Sequence, residues 1–185
     1  MNTIRIIASQ EAIKPGYNFT FYEFWKPTLT KNAVDFDCPE CLVDGMQVLR
    51  DWYNEFWETT PETQEPWEIT SFIRPYTNQG FHFNGHAGDS LPENEKRQIE
   101  AINQFKTECL DYQSGKGSTL IEKLRQKGVN GFGIEVGRCI HLDFRPNEHC
   151  HSTDQYGNYC VFSWEPMEGI IEGKSIVYFK TGKAN

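Results

Sequence analysis

The sequence predicts an α+β fold, in which a mainly antiparallel sheet packs against helices within a single domain, residues 1–185. Three observations support this prediction. Apolar residues recur at helical spacing in the earlier part of the chain, short runs of β-forming residues follow them, and no linker rich in Pro or Gly separates the two parts. A chain of 185 residues is also large enough to bury the core of one domain.

The first elements are an aromatic-rich segment and a helix. Residues 1–37 follow no regular period, and we interpret them as a segment that wraps around the domain. Residues 39–57 have apolar side chains at steps of three and four, which predicts a helix with one buried face. These apolar residues are Leu42, Met46, Leu49, Trp52, Tyr53, Phe56 and Trp57.

The middle of the chain alternates between strand, loop and helix signals. Residues 67–72 follow Pro66 and include β-forming residues such as Ile69, which predicts a strand. Residues 74–90 are rich in Asn, Gly and His, which predicts a loop. Helical spacing then returns in residues 93–112, and a second helix is expected over residues 118–127, ending at Gly128.

Four strands are predicted in the last third of the chain. They cover residues 130–136, 139–145, 158–164 and 175–180. The first two are expected to form a hairpin near Gly137.

Charge and hydropathy exclude several classes of function. The chain has 18 Lys and Arg against 26 Asp and Glu, a net charge of −8, so the basic cluster that binds nucleic acid is missing. No apolar run is long enough to cross a membrane, and residues 1–8 lack the features of a secretory signal. We therefore expect synthesis in the cytoplasm, with largely reduced cysteines.

The segment of residues 71–89 contains the first candidate metal ligands. His82 and Asp89 lie seven residues apart, and the small residues Gly85 and Ala87 between them would allow the backbone to approach an ion closely. As a bare pair, however, these two residues could equally be solvated surface groups.

The predicted strand of residues 139–145 contains the next candidates. With a period of two, Cys139, His141, Asp143 and Arg145 share one face, and the apolar residues between them share the other. The polar face could line a cleft, or it could be an exposed sheet face with cross-strand ion pairs.

Taken together, these segments resemble the D-Ala-D-Ala carboxypeptidase-like zinc peptidases, a family that includes phage endolysins. The family pattern runs Ser-x-x-Arg, an Asn-containing loop, His-x-x-Gly-x-Ala-x-Asp, and a later strand with one His. Matching positions are Ser71, Arg74, Asn78, His82, Gly85, Ala87, Asp89 and His141. Phe19-Thr20-Phe21-Tyr22-Glu23-Phe24 and Ile140-His141-Leu142-Asp143 are similar to the subfamily named for its C-terminal peptidase domain. The resemblance spans roughly residues 17–164, with the metal core at residues 67–164.

Two positions depart from the family pattern. Gly80 stands where members often have a Ser, and Arg138 stands where some relatives have a catalytic Glu. The first departure leaves the substrate preference open, and the second leaves the general base open.

The resemblance implies a hedgehog/DD-peptidase-like fold and a Zn²⁺ ion held by His82, Asp89 and His141, with water in the fourth position. Asp143 is the first choice for the general base, and Glu135 is its rival. Arg74 would bind a carboxylate or carbonyl of the substrate, unless it is a surface residue in a salt bridge.

The implied function is hydrolysis of peptide bonds in bacterial peptidoglycan by a carboxypeptidase or an endolysin-type endopeptidase. The substrate would be the stem peptide, the protein a monomer, and neither nucleic acid nor membrane a partner. Without a secretory signal, the enzyme would reach the cell wall after release, for example by lysis. The alternatives are a zinc-bearing but inactive binding module of the same fold, and a structural protein whose His and Asp residues are incidental.

Other residues that could bind metal are given simpler interpretations. Cys38 and Cys41 are taken as ordinary thiols at a helix start, because no second CxxC pair could complete a zinc site with them. The cluster at residues 148–151, which could bind an ion with Cys160, is interpreted as a turn, and His86 as a loop histidine.

Overall fold

Helices and strands occur in the α+β arrangement expected from the sequence. The computed structural model describes residues 2–26, 35–60, 63–71, 87–129, 131–135, 139–143, 161–165 and 177–181. The helices are α1 (Phe21–Trp25), α2 (Glu40–Phe56), α3 (Glu95–Gln113) and α4 (Thr119–Gln126). The strands are β1 (Thr3–Ile6), β2 (Phe36–Pro39), β3 (Trp67–Ser71), β4 (Ala87–Pro92), β5 (Gly131–Glu135), β6 (Cys139–Asp143), β7 (Val161–Glu165) and β8 (Val177–Thr181).

The main sheet has six strands in the order β3-β4-β6-β5-β7-β8. Its neighbouring strands pair antiparallel except β5 and β7, which pair parallel. The prediction of a mainly antiparallel sheet is therefore confirmed, and so is the antiparallel pairing of β5 with β6. In this order, β6 and β7 lie on opposite sides of β5.

The two large helices form where apolar spacing predicted them. Residues of α2 at steps of three and four are buried, among them Leu42, Met46, Leu49 and Tyr53. Helix α3 begins two residues later than predicted, because the Asn94 side chain caps it by accepting a hydrogen bond from the Lys96 N–H.

The N-terminal segment is more regular than predicted. Strand β1 pairs with β2, and α1 begins at a capping box in which Thr20 and Glu23 bond each other's backbone N–H. Residues 1–37 are therefore not irregular throughout. The missed strand pairs with a partner more than 30 residues away, and helix α1 spans only five residues. Both are short elements for which periodicity is a weak signal. Phe19 and Phe24 are fully buried, so this segment does contribute to the core.

Helices α2 and α3 pack on one face of the main sheet. Tyr53 of α2 contacts Trp67 of β3 with ring centroids 5.2 Å apart, and Phe105 of α3 contacts Phe132 of β5 at 6.3 Å. Phe132 pairs with the fully buried Leu142 of β6. The face of β6 that includes Leu142 is thus the helix-covered face, and His141 lies on the opposite face.

Candidate metal centre

Asp89 lies in a strand, not in the loop that the sequence predicted. Strand β4 covers Ala87–Pro92, all of its residues are buried, and it pairs with β3 on one side and β6 on the other. The prediction of a loop over residues 74–90 was therefore wrong from Ala87 onwards. Ala, Gly, Asp and Ser have low intrinsic preference for strands, and two flanking strands supply the pairing that overrides it.

Asp89 and His141 are direct cross-strand partners in the β4–β6 pair. The Nδ1 atom of His141 lies 2.6 Å from Oδ1 of Asp89, which is a hydrogen-bond distance. Both residues are 8% exposed. The carboxylate and the imidazole that the sequence pattern selected are thus brought together and largely removed from water.

Small residues surround this pair on the same face of the sheet. In the β5–β6 register, Gly133 stands opposite His141 and Gly131 stands opposite Asp143, while Ala87 of β4 pairs with Asp143 from the other side. A glycine has no side chain, so β5 places no side chain of its own directly opposite His141. Sequence reasoning did not select these glycines, although their period-two spacing in a predicted strand was a signal that could have identified them.

The register also positions the two candidate general bases. Residue 143 follows His141 by two on β6, and residue 135 pairs with Cys139, two residues before His141. Alternation along a strand and direct cross-strand pairing place both positions on the face that has His141. Their side chains lie outside the described structure.

The Asp89–His141 pair fits part of a zinc site. A carboxylate oxygen and an imidazole nitrogen are both zinc ligands, and two such atoms on one tetrahedral zinc lie about 3.3 Å apart. The observed separation is shorter, so a shift of under about one ångström would let both atoms bind one ion. In the hydrogen-bonded arrangement, Asp89 fixes the orientation of the imidazole ring, as carboxylates do for histidines that bind metals.

The remaining predicted site residues fall outside the described part of the chain. They are Arg74 and His82, together with Asn78, His86 and the cluster at residues 148–151. Within the described ranges, no three His, Cys, Asp or Glu side chains group closely enough to hold an ion. The described site therefore consists of two of the three predicted ligands.

The Cys38 and Cys41 thiols lie apart from this pair, at the junction of β2 and α2. Burial raises the pKa of the Cys38 thiol well above its usual value and raises that of Cys41 to about 11. The thiolate is the nucleophilic form of a cysteine, whereas these thiols stay protonated near neutral pH. This agrees with their interpretation as ordinary thiols.

No helix among the described residues is both long and apolar enough to span a membrane. No family model, curated protein or solved structure matches this chain.

Proposed function

We propose that this chain is a zinc-dependent peptidase that hydrolyses peptide bonds of bacterial peptidoglycan and has a hedgehog/DD-peptidase-like fold. The buried Asp89–His141 pair is the observation that carries this proposal. Both residues belong to the motif that resembles the D-Ala-D-Ala carboxypeptidase-like family, although 51 residues separate them in the chain.

The ligand set of the proposal is His82, Asp89 and His141. Two imidazoles and one carboxylate suit Zn²⁺ and leave one coordination position for water, as a catalytic site requires. Zinc bound there would supply a water molecule that loses its proton near neutral pH and would polarise the scissile carbonyl. Asp89 and His141 fit this role because both are largely shielded from solvent.

The general base and the substrate-binding group would be charged residues. The candidate bases lie near this pair in the strand register, and the substrate-binding residue belongs to the sequence motif. Asp143 or Glu135 takes the proton from the attacking water and passes it to the leaving amine. The backbone register supports both candidates, since each position lies on the face that has His141. Arg74 binds a carboxylate or carbonyl of the peptidoglycan stem peptide.

Metal analysis and digestion of purified peptidoglycan test the proposal together. We expect about one zinc per chain, and release of peptide fragments that mass spectrometry of the muropeptides identifies. A chelator should abolish the release, and added zinc should restore it. The control is Ser90→Ala, which changes a neighbouring buried residue that faces away from Asp89.

Each alternative gives a different result. Zinc binding without cleavage of any wall preparation would favour an inactive binding module. A protein that takes up no zinc would favour the structural alternative and would end the proposal.

A further inference from the structure

A groove of about 510 Å³ lies on the helical layer, between α2 and the junction of α3 with α4. Val48, Trp52, Phe56 and Leu120 supply its apolar surface. Because α2 and α3 cover the face of the sheet opposite His141, this groove is separate from the candidate metal centre.

Two aromatic side chains on one face of α2 form the exposed wall of the groove. The rings of Trp52 and Phe56 stack with centroids 6.2 Å apart and an interplanar angle of 29°. Trp52 is fixed from the other side by an edge contact with the buried Phe105, at 6.2 Å. Phe56 is 44% exposed, although it is a large apolar residue. The wall is therefore held by ring contacts within the protein, and Phe56 keeps part of its side chain exposed to solvent.

Three carboxylates surround this wall: Asp51, Glu55 and Glu108. Among the described residues that line the groove, they outnumber the one ammonium group, that of Lys123. The ion pairs among the described residues involve other carboxylates. Asp51 and Glu108 accept hydrogen bonds from neutral groups, Gln47 and Ser118. The described lining of the groove thus combines a net negative charge with aromatic side chains.

We propose that this groove binds an extended cationic peptide in which arginine alternates with apolar residues. A guanidinium group stacks on aromatic rings and also pairs with carboxylates, so one arginine can use both features of the groove. Val48 to Phe56 covers about 12 Å of helix, which matches about four residues of extended chain. The volume is also in the range that holds a ligand of this size.

The probe for this proposal is a fluorescein-labelled, amidated hexapeptide of alternating arginine and leucine. Its binding is followed by fluorescence anisotropy at low and high salt. The control peptide has citrulline in place of arginine, which keeps the planar shape of the side chain and removes its charge. We expect the arginine peptide to bind at least tenfold more tightly than the citrulline peptide.

Substitutions in the groove locate the binding. The double variant Asp51→Asn/Glu55→Gln should weaken binding about tenfold, from two neutralised pairs, and Phe56→Ala about two- to fivefold. The matched control is Glu68→Gln/Glu100→Gln, which removes two exposed carboxylates outside the groove. This control should change the affinity by less than about twofold. All these side chains are exposed, and circular dichroism confirms that each variant is folded.

Three results would overturn the proposal. In the first, both double variants weaken binding equally, so that the peptide only senses the net charge of −8. In the second, the citrulline peptide binds as well as the arginine peptide. In the third, neither peptide binds while a chito-oligosaccharide does, which would make the groove a carbohydrate site. None of these results depends on zinc or on peptidase activity, so the proposed function is tested separately.

Discussion

Asp89 and His141 face each other across the β4–β6 pair, and their side chains lie within hydrogen-bonding distance at 2.6 Å. This contact depends on the register of the sheet. A slip of one residue in β4 would move Asp89 to the helix-covered face and would expose Ser90 in its place. The apolar alternation of β6 fixes which of its faces is buried, and this places His141 on the face opposite the helices.

Removing either member of this pair should abolish tight zinc binding. We expect Asp89→Ala and His141→Ala to lower zinc affinity by more than about a hundredfold, since losses of 10- to 100-fold are typical of residues that only orient a ligand. Competition with a chromophoric chelator measures the affinity. Ser90→Ala is the matched control, because it removes a buried hydroxyl that has no hydrogen-bond partner among the described residues, and it should leave zinc binding and stability nearly unchanged. A loss below tenfold in Asp89→Ala would show that Asp89 is not a ligand.

The two candidate general bases can be distinguished by activity at constant zinc content. Replacing the true base, by Asp143→Asn or Glu135→Gln, should lower kcat about 10²- to 10⁴-fold. The other substitution should have a much smaller effect. Peptide release from peptidoglycan gives the rate, and metal analysis of the same samples gives the zinc content. Equal activity of both variants and the unchanged protein would exclude both residues.

A side chain at residue 133 should interfere with the site while the fold is retained. Gly133 has no positive φ and lies in a regular strand, so a valine suits its backbone. In the register, this valine would stand beside His141. We expect Gly133→Val to weaken zinc binding at least tenfold with little loss of thermal stability, and Gly133→Ala to have an intermediate effect. If Gly133→Val binds zinc with unchanged affinity, the metal site does not extend to residue 133.

Elements in which apolar residues recur at a regular spacing were predictable from the sequence. They include β6, which contains His141, one of the two described site residues. Apolar spacing located α2 to within a residue at each end, and alternation located β6 and placed His141 on its polar face. In both cases one face is buried, and burial of one face is what produces a period in the sequence.

Elements held by tertiary pairing were not predictable. Strand β4 has the sequence Ala-Gly-Asp-Ser-Leu-Pro, which has no strand period, and it forms because β3 and β6 flank it. The groove beside Trp52 combines residues of α2, α3 and the start of α4, which only the packing of the helices brings together. Contacts between such distant segments cannot be predicted from the local sequence of each one.

The Lys14–Tyr17–Asp44 cluster should make stability fall at alkaline pH. Burial and a hydrogen bond to Asp44 raise the pKa of Tyr17 to about 12. Burial lowers the pKa of Lys14, but hydrogen bonds to Asp44 and Glu40 outweigh this effect and leave that pKa above its usual value. Both groups are therefore more protonated in the folded state than in the unfolded state as pH rises past about 10, and unfolding then releases protons.

Urea unfolding between pH 8 and pH 12 tests this expectation. The free energy of unfolding should fall as the pH rises from 10 towards 12, and the fall should be smaller in Tyr17→Phe. Tyr22→Phe is the control, since the Tyr22 hydroxyl has no hydrogen bond within the described residues. If the free energy of unfolding falls equally in Tyr17→Phe, Tyr22→Phe and the unchanged protein, groups other than Tyr17 cause the effect.

Alkylation of native protein should leave the thiols at the start of α2 largely unmodified. With its pKa raised to about 11, Cys41 has a thiolate fraction at pH 8 about a hundredfold below that of an ordinary cysteine. Cys38 is fully buried, and this burial raises the pKa of its thiol well above the usual value. Timed labelling with iodoacetamide, followed by peptide mass spectrometry, gives the rate at each cysteine, and the same reaction in urea gives the unfolded reference. Rapid labelling of Cys41 in the folded protein would contradict the interpretation of this pair as ordinary thiols and would point to a reactive or metal-binding role.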